Sequence, residues 1–205
     1  MRKTVITAIS LAILGYGNLM AQEKAVESVE TIRARQLEKL GATKGRLQSK
    51  MLELQKLMDA NRNGAAAAHA AVQKIHLQTS ARLAKLVLDE NAKPQEMRNV
   101  ALTENWNNKT LKLNEMLAEF NSVTWAFYGQ KTTQLQASYT TIVQTLLPAL
   151  EAMEAHWGPA KLDLEVLVTA ATAVEKRFDG LKVQFAAAVT EVTAALPAWE
   201  AAAKE

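Results

Sequence analysis

The apolar residues of this chain recur at the spacing of an α-helix. In the first third of the chain they follow alternating three- and four-residue steps, interrupted only at Lys44, through Leu37, Leu40, Leu47, Met51, Leu54 and Met58. This spacing is typical of helices that pack as coiled coils. Strong helix formers dominate the chain, and no run of alternating β-branched residues predicts a strand.

Turn-forming residues divide this pattern into separate helices. Residues 61–64, Asn-Arg-Asn-Gly, end a first helix that begins near Glu23, and a second helix follows to about Asp89. A third helix begins near Pro94, because proline suits the first turn of a helix. We expect this third helix to pause at the polar residues 105–108.

The second half of the chain carries further breaks. The helical pattern restarts beyond Gly129, Pro148 predicts a kink within it, and residues 156–159 predict a stop and a restart. The last helix runs from about Ala160 until Pro197 bends or ends it, and we expect the alanine-rich remainder to fray. The sequence therefore predicts an all-α fold: an elongated antiparallel bundle of about four to five long helices with coiled-coil-like packing.

The N-terminus has the pattern of a secretory signal peptide. Arg2 and Lys3 precede an apolar stretch shorter than the ~20 residues of a membrane-spanning helix, and Ala21 offers a cleavage site. We expect residues 1–21 to be removed and residues 22–205 to form a single helical-bundle domain without an integral membrane span. An uncleaved membrane anchor is the alternative. A bacterial protein with this leader would be periplasmic or secreted.

The charge of the chain is nearly balanced but unevenly distributed. Removal of the leader leaves 22 basic and 21 acidic residues, with a net charge of +5 over residues 22–94 and −4 over residues 95–205. Such a chain can pack its halves against each other or dimerise antiparallel, and it lacks the net basic domain of a nucleic-acid binder. The chain contains no cysteine, so its stability has to come from packing rather than from disulfides.

Basic residues of the first helix lie on one face. Arg35, Lys39, Arg46 and Lys50, the basic stripe, fall within about 60° of one another at 100° per residue. The stripe fits an acidic protein partner or weak contact with anionic lipid headgroups. It equally fits the acidic half of the same chain, or a solvated face that confers solubility.

Trp125, Phe127 and Tyr128 form the densest aromatic cluster. Aromatic residues are common anchors of binding surfaces, and they also fill the core where helices of a bundle meet. Together with the basic stripe, these three residues make up the candidate interaction surface that the sequence offers.

Residues able to carry chemistry are sparse. His69 and His76 lie seven residues apart, about 10 Å along a helix, which is too far for them to share one metal ion. Covalent haem would need a Cys-x-x-Cys-His motif, and this chain has no cysteine. A non-covalent haem held by His156 or His69 and by Met51, Met58, Met116 or Met153 is the remaining cofactor hypothesis, although methionines at helical spacing are usually core filler. We therefore expect no catalytic residues, no metal and no cofactor.

These features together predict a class of function. A long helical chain with a leader and no catalytic constellation fits a non-enzymatic protein of the cell envelope or the extracellular space. It would act in protein interaction or assembly, as a scaffold, adaptor or chaperone, with a protein partner or by self-association. The alternative is a periplasmic bundle that binds a small ligand such as haem, a metal or a lipid. A membrane-active protein is a third hypothesis.

Overall fold

A computed structural model of the chain describes residues 28–155 and 161–204, with the backbone alone at residues 161–163. Helix α1 spans Val29–Asn91, and a 3₁₀ turn, Gln95–Met97, follows it. The predicted signal peptide lies outside the described residues. The described part of the chain contains no strand.

The rest of the chain forms two further long helical stretches. The middle segment, residues 100–155, is continuous and consists of α2 (Val100–Glu119), α3 (Ala126–Thr141) and α4 (Leu147–Ala155). Helix α5 spans Lys161–Lys204. Three long helical stretches thus pack together, which confirms the all-α helical bundle with fewer helices than the four to five predicted.

The chain divides after Thr43 into two compact units. In the first unit, Ser28 directly precedes α1, and its Oγ accepts a hydrogen bond from the backbone N–H of Thr31 at 3.1 Å. Leu40 and Thr43 are buried there. The second unit begins at Lys44 and contains the middle segment and α5.

The predicted break at residues 61–64 is wrong, because α1 continues through it. The Nδ2 of Asn61 donates to the carbonyl oxygen four residues earlier at 2.8 Å, so the amide is satisfied within the helix. The alanines after Gly64 are strong helix formers, and Ala65 and Ala68 are buried. Continuous burial outweighs the cost of about 1 kcal/mol for a glycine inside a helix.

Helix α2 begins later than Pro94 and does not pause at residues 105–108. Its N-cap is Asn99, whose Oδ1 accepts from the backbone N–H of Leu102 at 3.2 Å. An asparagine cap satisfies a donor that would otherwise be unpaired, and it therefore fixes where the helix starts. The hydroxyl of Thr110 donates to the carbonyl oxygen of Trp106 at 3.0 Å, within the stretch that was expected to pause.

Neighbouring helices of the second unit run antiparallel, and its first and last helices run parallel. His69 and His76 of α1 pair with Asn121 and Asn114 of the middle segment, in opposite chain order. In contrast, three ion pairs join α1 to α5 at a constant separation of 129 residues, namely Arg46–Glu175, Lys50–Asp179 and Glu53–Lys182. A chain that reverses direction twice gives this arrangement.

The core of α5 follows a strict seven-residue repeat. Its members are at most 2% exposed and are Leu164, Ala171, Phe178, Phe185, Val192 and Trp199. Because the repeat continues past Pro197, the helix does not end or fray there and extends to Lys204. Burial of Trp199 compensates for the backbone hydrogen bond that Pro197 removes.

The middle segment keeps its buried face by inserting single residues. Its core positions lie seven or eight residues apart, at Leu113, Phe120, Tyr128, Leu135, Ile142 and Leu150. The two eight-residue steps contain the π-helical turns Phe120–Trp125 and Ile142–Leu146. A π-turn holds one more residue than an α-turn. The second ends two residues before Pro148, where the sequence predicts a kink and where the proline ring needs room in the preceding turn.

Candidate interaction surface

Two residues of the basic stripe are paired with α5. The Nε of Arg46 donates to Oε1 of Glu175 at 3.2 Å, and the Nζ of Lys50 donates to Oδ1 of Asp179 at 2.7 Å. The hydrogen bond to Asp179 raises the pKa of Lys50 above its usual value. Of the partners that the sequence allowed for these two residues, the structure therefore shows the acidic half of the same chain.

The pairing continues along the same two helices. Lys182 donates to a carboxylate oxygen of Glu53, which holds the pKa of Glu53 below its usual value. The side chains of the three pairs are between 17% and 61% exposed, so each pair contributes at most about 1 kcal/mol to stability. Their main effect is to favour one register of α1 against α5.

The other two residues of the basic stripe, Arg35 and Lys39, lie in the first unit. Both side chains are exposed on α1. The carbonyl oxygen of Lys39 accepts a hydrogen bond from the hydroxyl of Thr43 at 2.8 Å.

The predicted aromatic cluster lies mostly inside the second unit. Tyr128 is buried, and its ring stacks on Trp125 at 4.9 Å between centroids. Trp125 stacks in turn on the imidazole of His69 at 3.9 Å, and Tyr128 lies 5.7 Å from Phe185. This line of rings joins all three long helices, and each stacked pair is worth about 0.5–1.5 kcal/mol.

Phe127 lies apart from this line of rings. It is half-buried, and the Nζ of Lys131 lies 4.9 Å from its ring centroid. Of the three aromatic residues that the sequence singled out, Tyr128 is a core residue, and Trp125 and Phe127 are partly accessible.

The structure also forms two histidine–asparagine pairs that sequence analysis missed. The Nε2 of His69 donates to Oδ1 of Asn121 at 3.2 Å, and the Nε2 of His76 donates to Oδ1 of Asn114 at 2.8 Å. His76 also meets the ring of Trp199 edge-on at 6.0 Å. The sequence feature that could have predicted these pairs is the equal seven-residue spacing of the two histidines and of the two asparagines. Antiparallel helices bring positions with equal spacing opposite each other.

The first π-turn positions the groups that contact His69. Asn121 and Trp125 both belong to Phe120–Trp125, and the hydrogen bond and the ring stack reach the same imidazole. The π-turn contains one residue more than a regular helical turn. In a regular helix, Asn121 and Trp125 would therefore lie at a different angle around the helix axis relative to Tyr128. The turn therefore serves packing of the middle segment against α1.

The surface of the second unit contains a charge-poor belt, defined as residues 120–150 of the middle segment and residues 183–199 of α5. Lys131 is the one charged residue in the first stretch and Glu191 in the second. Helix α1, in contrast, carries 17 charged residues in 63 positions. Several belt residues are exposed, among them Val123, Ala126, Gln130, Val183 and Ala187.

Two adjoining depressions between the middle segment and α5 share Val123 and form one acidic groove. Its apolar lining includes Met116, Val123, Ala126, Phe127, Ala195 and Ala198. Its charged residues are Glu119 and Glu191, and neither forms an ion pair with any residue that the structure describes.

A second groove lies on the opposite flank of the middle segment, against α1. Its volume is about 670 Å³, and it is lined by Met58, Arg62, Thr132, Thr133, Gln136, Ala137 and Thr140. Arg62 is the charged residue of this Arg62 groove and has no acidic partner within residues 28–155 and 161–204.

The described residues include no cluster of three or more histidine or carboxylate side chains that could hold a metal ion. Within the same residues, no helix is long and apolar enough to cross a membrane. His156 lies outside the described part of the chain. Comparison of the chain with known protein families, with curated proteins and with solved structures gives no match.

Proposed function

We propose that this chain is a non-enzymatic helical-bundle protein that acts through protein–protein contacts, as a scaffold, adaptor or chaperone. The observation that carries the proposal is the charge-poor belt. Exposed helix faces of a monomeric soluble protein are normally rich in charge, whereas the centres of protein interfaces are depleted of it. Covering such a face requires little desolvation of charge and buries apolar surface such as Val123 and Val183.

The roles of the polar side chains between the helices also support this proposal. His69 and His76 are held by asparagines of the middle segment, and Arg46 and Lys50 are held by carboxylates of α5. These groups serve the packing of the bundle. Interaction through an outer face then needs no chemistry beyond shape, apolar area and a few charges.

The proposed location is the periplasm or the medium around a bacterial cell, on the basis of the leader pattern at residues 1–21. The expected mature chain begins at Gln22. Mass spectrometry of the chain recovered from periplasmic, membrane and culture fractions tests this. A full-length chain confined to the cytoplasm or the membrane would contradict the proposed location.

Photo-crosslinking in the native cell tests the proposed function. A photoreactive residue at Val123, which is 61% exposed in the charge-poor belt, should capture a specific protein that mass spectrometry can identify. The matched control is Leu52, which is 52% exposed on α1 between the charged residues Lys50 and Glu53. Capture from position 123 but not from position 52 supports the proposal, and a second copy of this chain counts as a partner.

Recovery of the uncrosslinked chain alone from both positions would contradict the proposal. Equal capture of the same abundant proteins from both positions would also contradict it, because such capture reflects encounter rather than a defined surface.

The Arg62 groove favours binding of a small lipid-like anion as a second candidate function. Its lining is mainly methyl-bearing and includes Arg62 as its one charged residue, which suits an aliphatic chain with an anionic head. Extraction of the purified chain with organic solvent, followed by mass spectrometry, should then recover one class of lipid. A lipid-free extract, or an unchanged lipid load in Arg62→Ala, would reject this candidate.

A further inference from the structure

We infer that the acidic groove binds an amphipathic helix with basic flanks, supplied by a partner protein. The inference rests on the proposed function, since it names the chemistry of the partner and the place where the partner docks. Its basis is the combination of an apolar lining, unpaired carboxylates and a length that fits a helix.

The length of the groove suits a helical ligand. It runs along the middle segment from Met116 to Gln130, which is about 20 Å at 1.5 Å per residue. A helix of about 14 residues covers this length in four turns. Docking of an amphipathic helix into a groove between two helices is a common mode of recognition, with anchors at positions i, i+3 or i+4, and i+7.

The floor of the groove can receive large apolar side chains. Ala126 and Ala198 are exposed, Ala195 is half-buried, and none of the three fills the space between the helices. Val123 is 61% exposed at the point that the two parts of the groove share. Leucine or phenylalanine anchors of a partner would gain about 25 cal/mol for each Å² of apolar surface that they bury there.

The charges of the groove select a basic partner. Glu191 is the one charged residue of α5 between residues 183 and 199, and Glu119 lies toward the Met116 end. Lysine or arginine residues that flank the apolar face of a partner helix would meet these carboxylates, and the partial desolvation on docking would strengthen the attraction.

Basic residues mark both ends of the acidic groove. Lys109 and Lys112 line the depression beyond Met116, and Lys131 lies over Phe127 at the opposite end. Like charges repel, so a docked helix is expected to place its basic residues beside Glu119 and Glu191 and not beyond Met116 or Phe127.

The direct test measures binding of a defined peptide to the purified mature chain. The probe is a fluorescein-labelled helical peptide of about 16 residues, with leucines on one face and lysines on either side, and its twin carries glutamates in place of the lysines. Fluorescence anisotropy at low salt should show binding of the lysine peptide and at least tenfold weaker binding of the glutamate peptide. Glu119→Lys/Glu191→Lys should reverse this preference.

Two neutral substitutions separate docking in the groove from general attraction between charges. Val123→Asn should weaken binding of the lysine peptide about tenfold, whereas Leu52→Asn on the charged part of α1 should leave it unchanged. Arg62→Glu, on the other flank of the middle segment, should not improve binding beyond the general effect of added negative charge. Circular dichroism of each variant verifies that the fold is kept, and all the substituted side chains are exposed or half-buried.

Absence of binding, equal binding of the two peptides, or equal effects of Val123→Asn and Leu52→Asn would overturn the inference. Failure of the peptide test together with specific capture at position 123 in cells would leave the proposed function standing with a partner of different chemistry. Peptide binding without any captured protein would support the groove and contradict the proposed function.

Discussion

At the scale of single residues, half-buried polar groups help to specify which helix faces meet. His69 and Asn121 come from helices 52 residues apart in sequence and share one hydrogen bond in a half-buried position. A polar pair of this kind contributes little net stability but penalises every register that leaves either member unpaired. His76 and Asn114 form a similar pair one heptad away on both helices, where Asn114 is exposed and the penalty for a missing partner is smaller.

Substitution of His69 tests this role. His69→Phe keeps a flat ring against Trp125 but leaves the half-buried Oδ1 of Asn121 without its donor, and we expect a loss of about 1 kcal/mol in the free energy of unfolding. Adding Asn121→Leu removes the unpaired group and should recover most of the loss. Urea denaturation followed by circular dichroism measures both. Equal stability of the single and the double variant would disprove the role, and Gln78→Ala, at an exposed position of the same helix, serves as the control.

Glu90 gives a second prediction at this scale. Among the acidic residues that the structure describes, Glu90 is the buried one, with a side chain in a residue that is 4% exposed. Its carboxylate accepts hydrogen bonds from Lys93 Nζ at 2.6 Å and from the Asn99 backbone N–H at 2.7 Å. The bond from Lys93, followed by that from Asn99, lowers the pKa of Glu90 below 4.5. The ionised form therefore stabilises the folded connection above pH 4.5, and this stabilisation is lost as the pH falls through the lower, folded-state pKa.

Nuclear magnetic resonance measures this titration directly. The amide proton shift of Asn99 should follow the protonation of Glu90, with its midpoint below pH 4.5, and the titration should disappear in Glu90→Gln. A midpoint at or above pH 4.5 would contradict the assignment.

At the scale of elements, the π-turns keep one face of the middle segment buried. The step from Phe120 to Tyr128 is eight residues, and a regular helix over eight residues would rotate Tyr128 about 80° from the face of Phe120. The π-turn Phe120–Trp125 absorbs the extra residue and returns Tyr128 to the core. The same holds from Ile142 to Leu150, across the turn that precedes Pro148.

Deletion of one residue separates a π-turn from a regular helix. Removal of Ser122, which is exposed, shortens the eight-residue step to seven and allows an ordinary α-turn with the same core face. We expect this variant to keep its helical content and a cooperative melting transition. Removal of Ala187, which is exposed within the regular α5, should abolish cooperative melting, because Val192 and Trp199 rotate by 100°. Similar melting of the two deletion variants would refute this account.

At the scale of the whole second unit, the ion pairs between α1 and α5 favour a parallel register. The pairs at Arg46, Lys50 and Glu53 share one sequence offset, and the spacings of four and three residues match on both helices. A shift of one helix by three residues would bring Lys50 opposite Lys182 or Lys176 and would break all three pairs. The uneven charge of the chain thus contributes to the correct pairing of its own halves.

Charge exchange tests this register. Arg46→Glu places two carboxylates together and should lower the free energy of unfolding by about 0.5–1 kcal/mol at low salt, and Glu175→Arg in the same chain should restore it. Asp179→Lys in place of Glu175→Arg should not restore it. Urea denaturation at low salt and at 1 M salt provides the measurement, and the effect should shrink at high salt. No rescue by Glu175→Arg would reject the observed register.

The sequence could identify which residues of the candidate interaction surface stand out, but not which residues they contact. Arg46 and Lys50 stood out because their spacing puts them on one helix face, but α5, which carries their partners, lies more than 120 residues away in sequence. Trp125 and Tyr128 stood out as aromatic residues, and only the packing of three helices determined that both join the line of rings with His69.

The sequence by itself determined the helical class of the chain and much of its core face. Helix propensity and apolar periodicity are properties of neighbouring residues, so Leu47, Leu54, Phe178 and Phe185 could be assigned to the core without a fold. Only the tertiary structure decided that α1 continues through residues 61–64, that two π-turns adjust the middle segment, and that α1 and α5 run parallel. Each of these features depends on burial against a distant helix, and that contribution outweighs the local signal of a turn residue or a regular repeat.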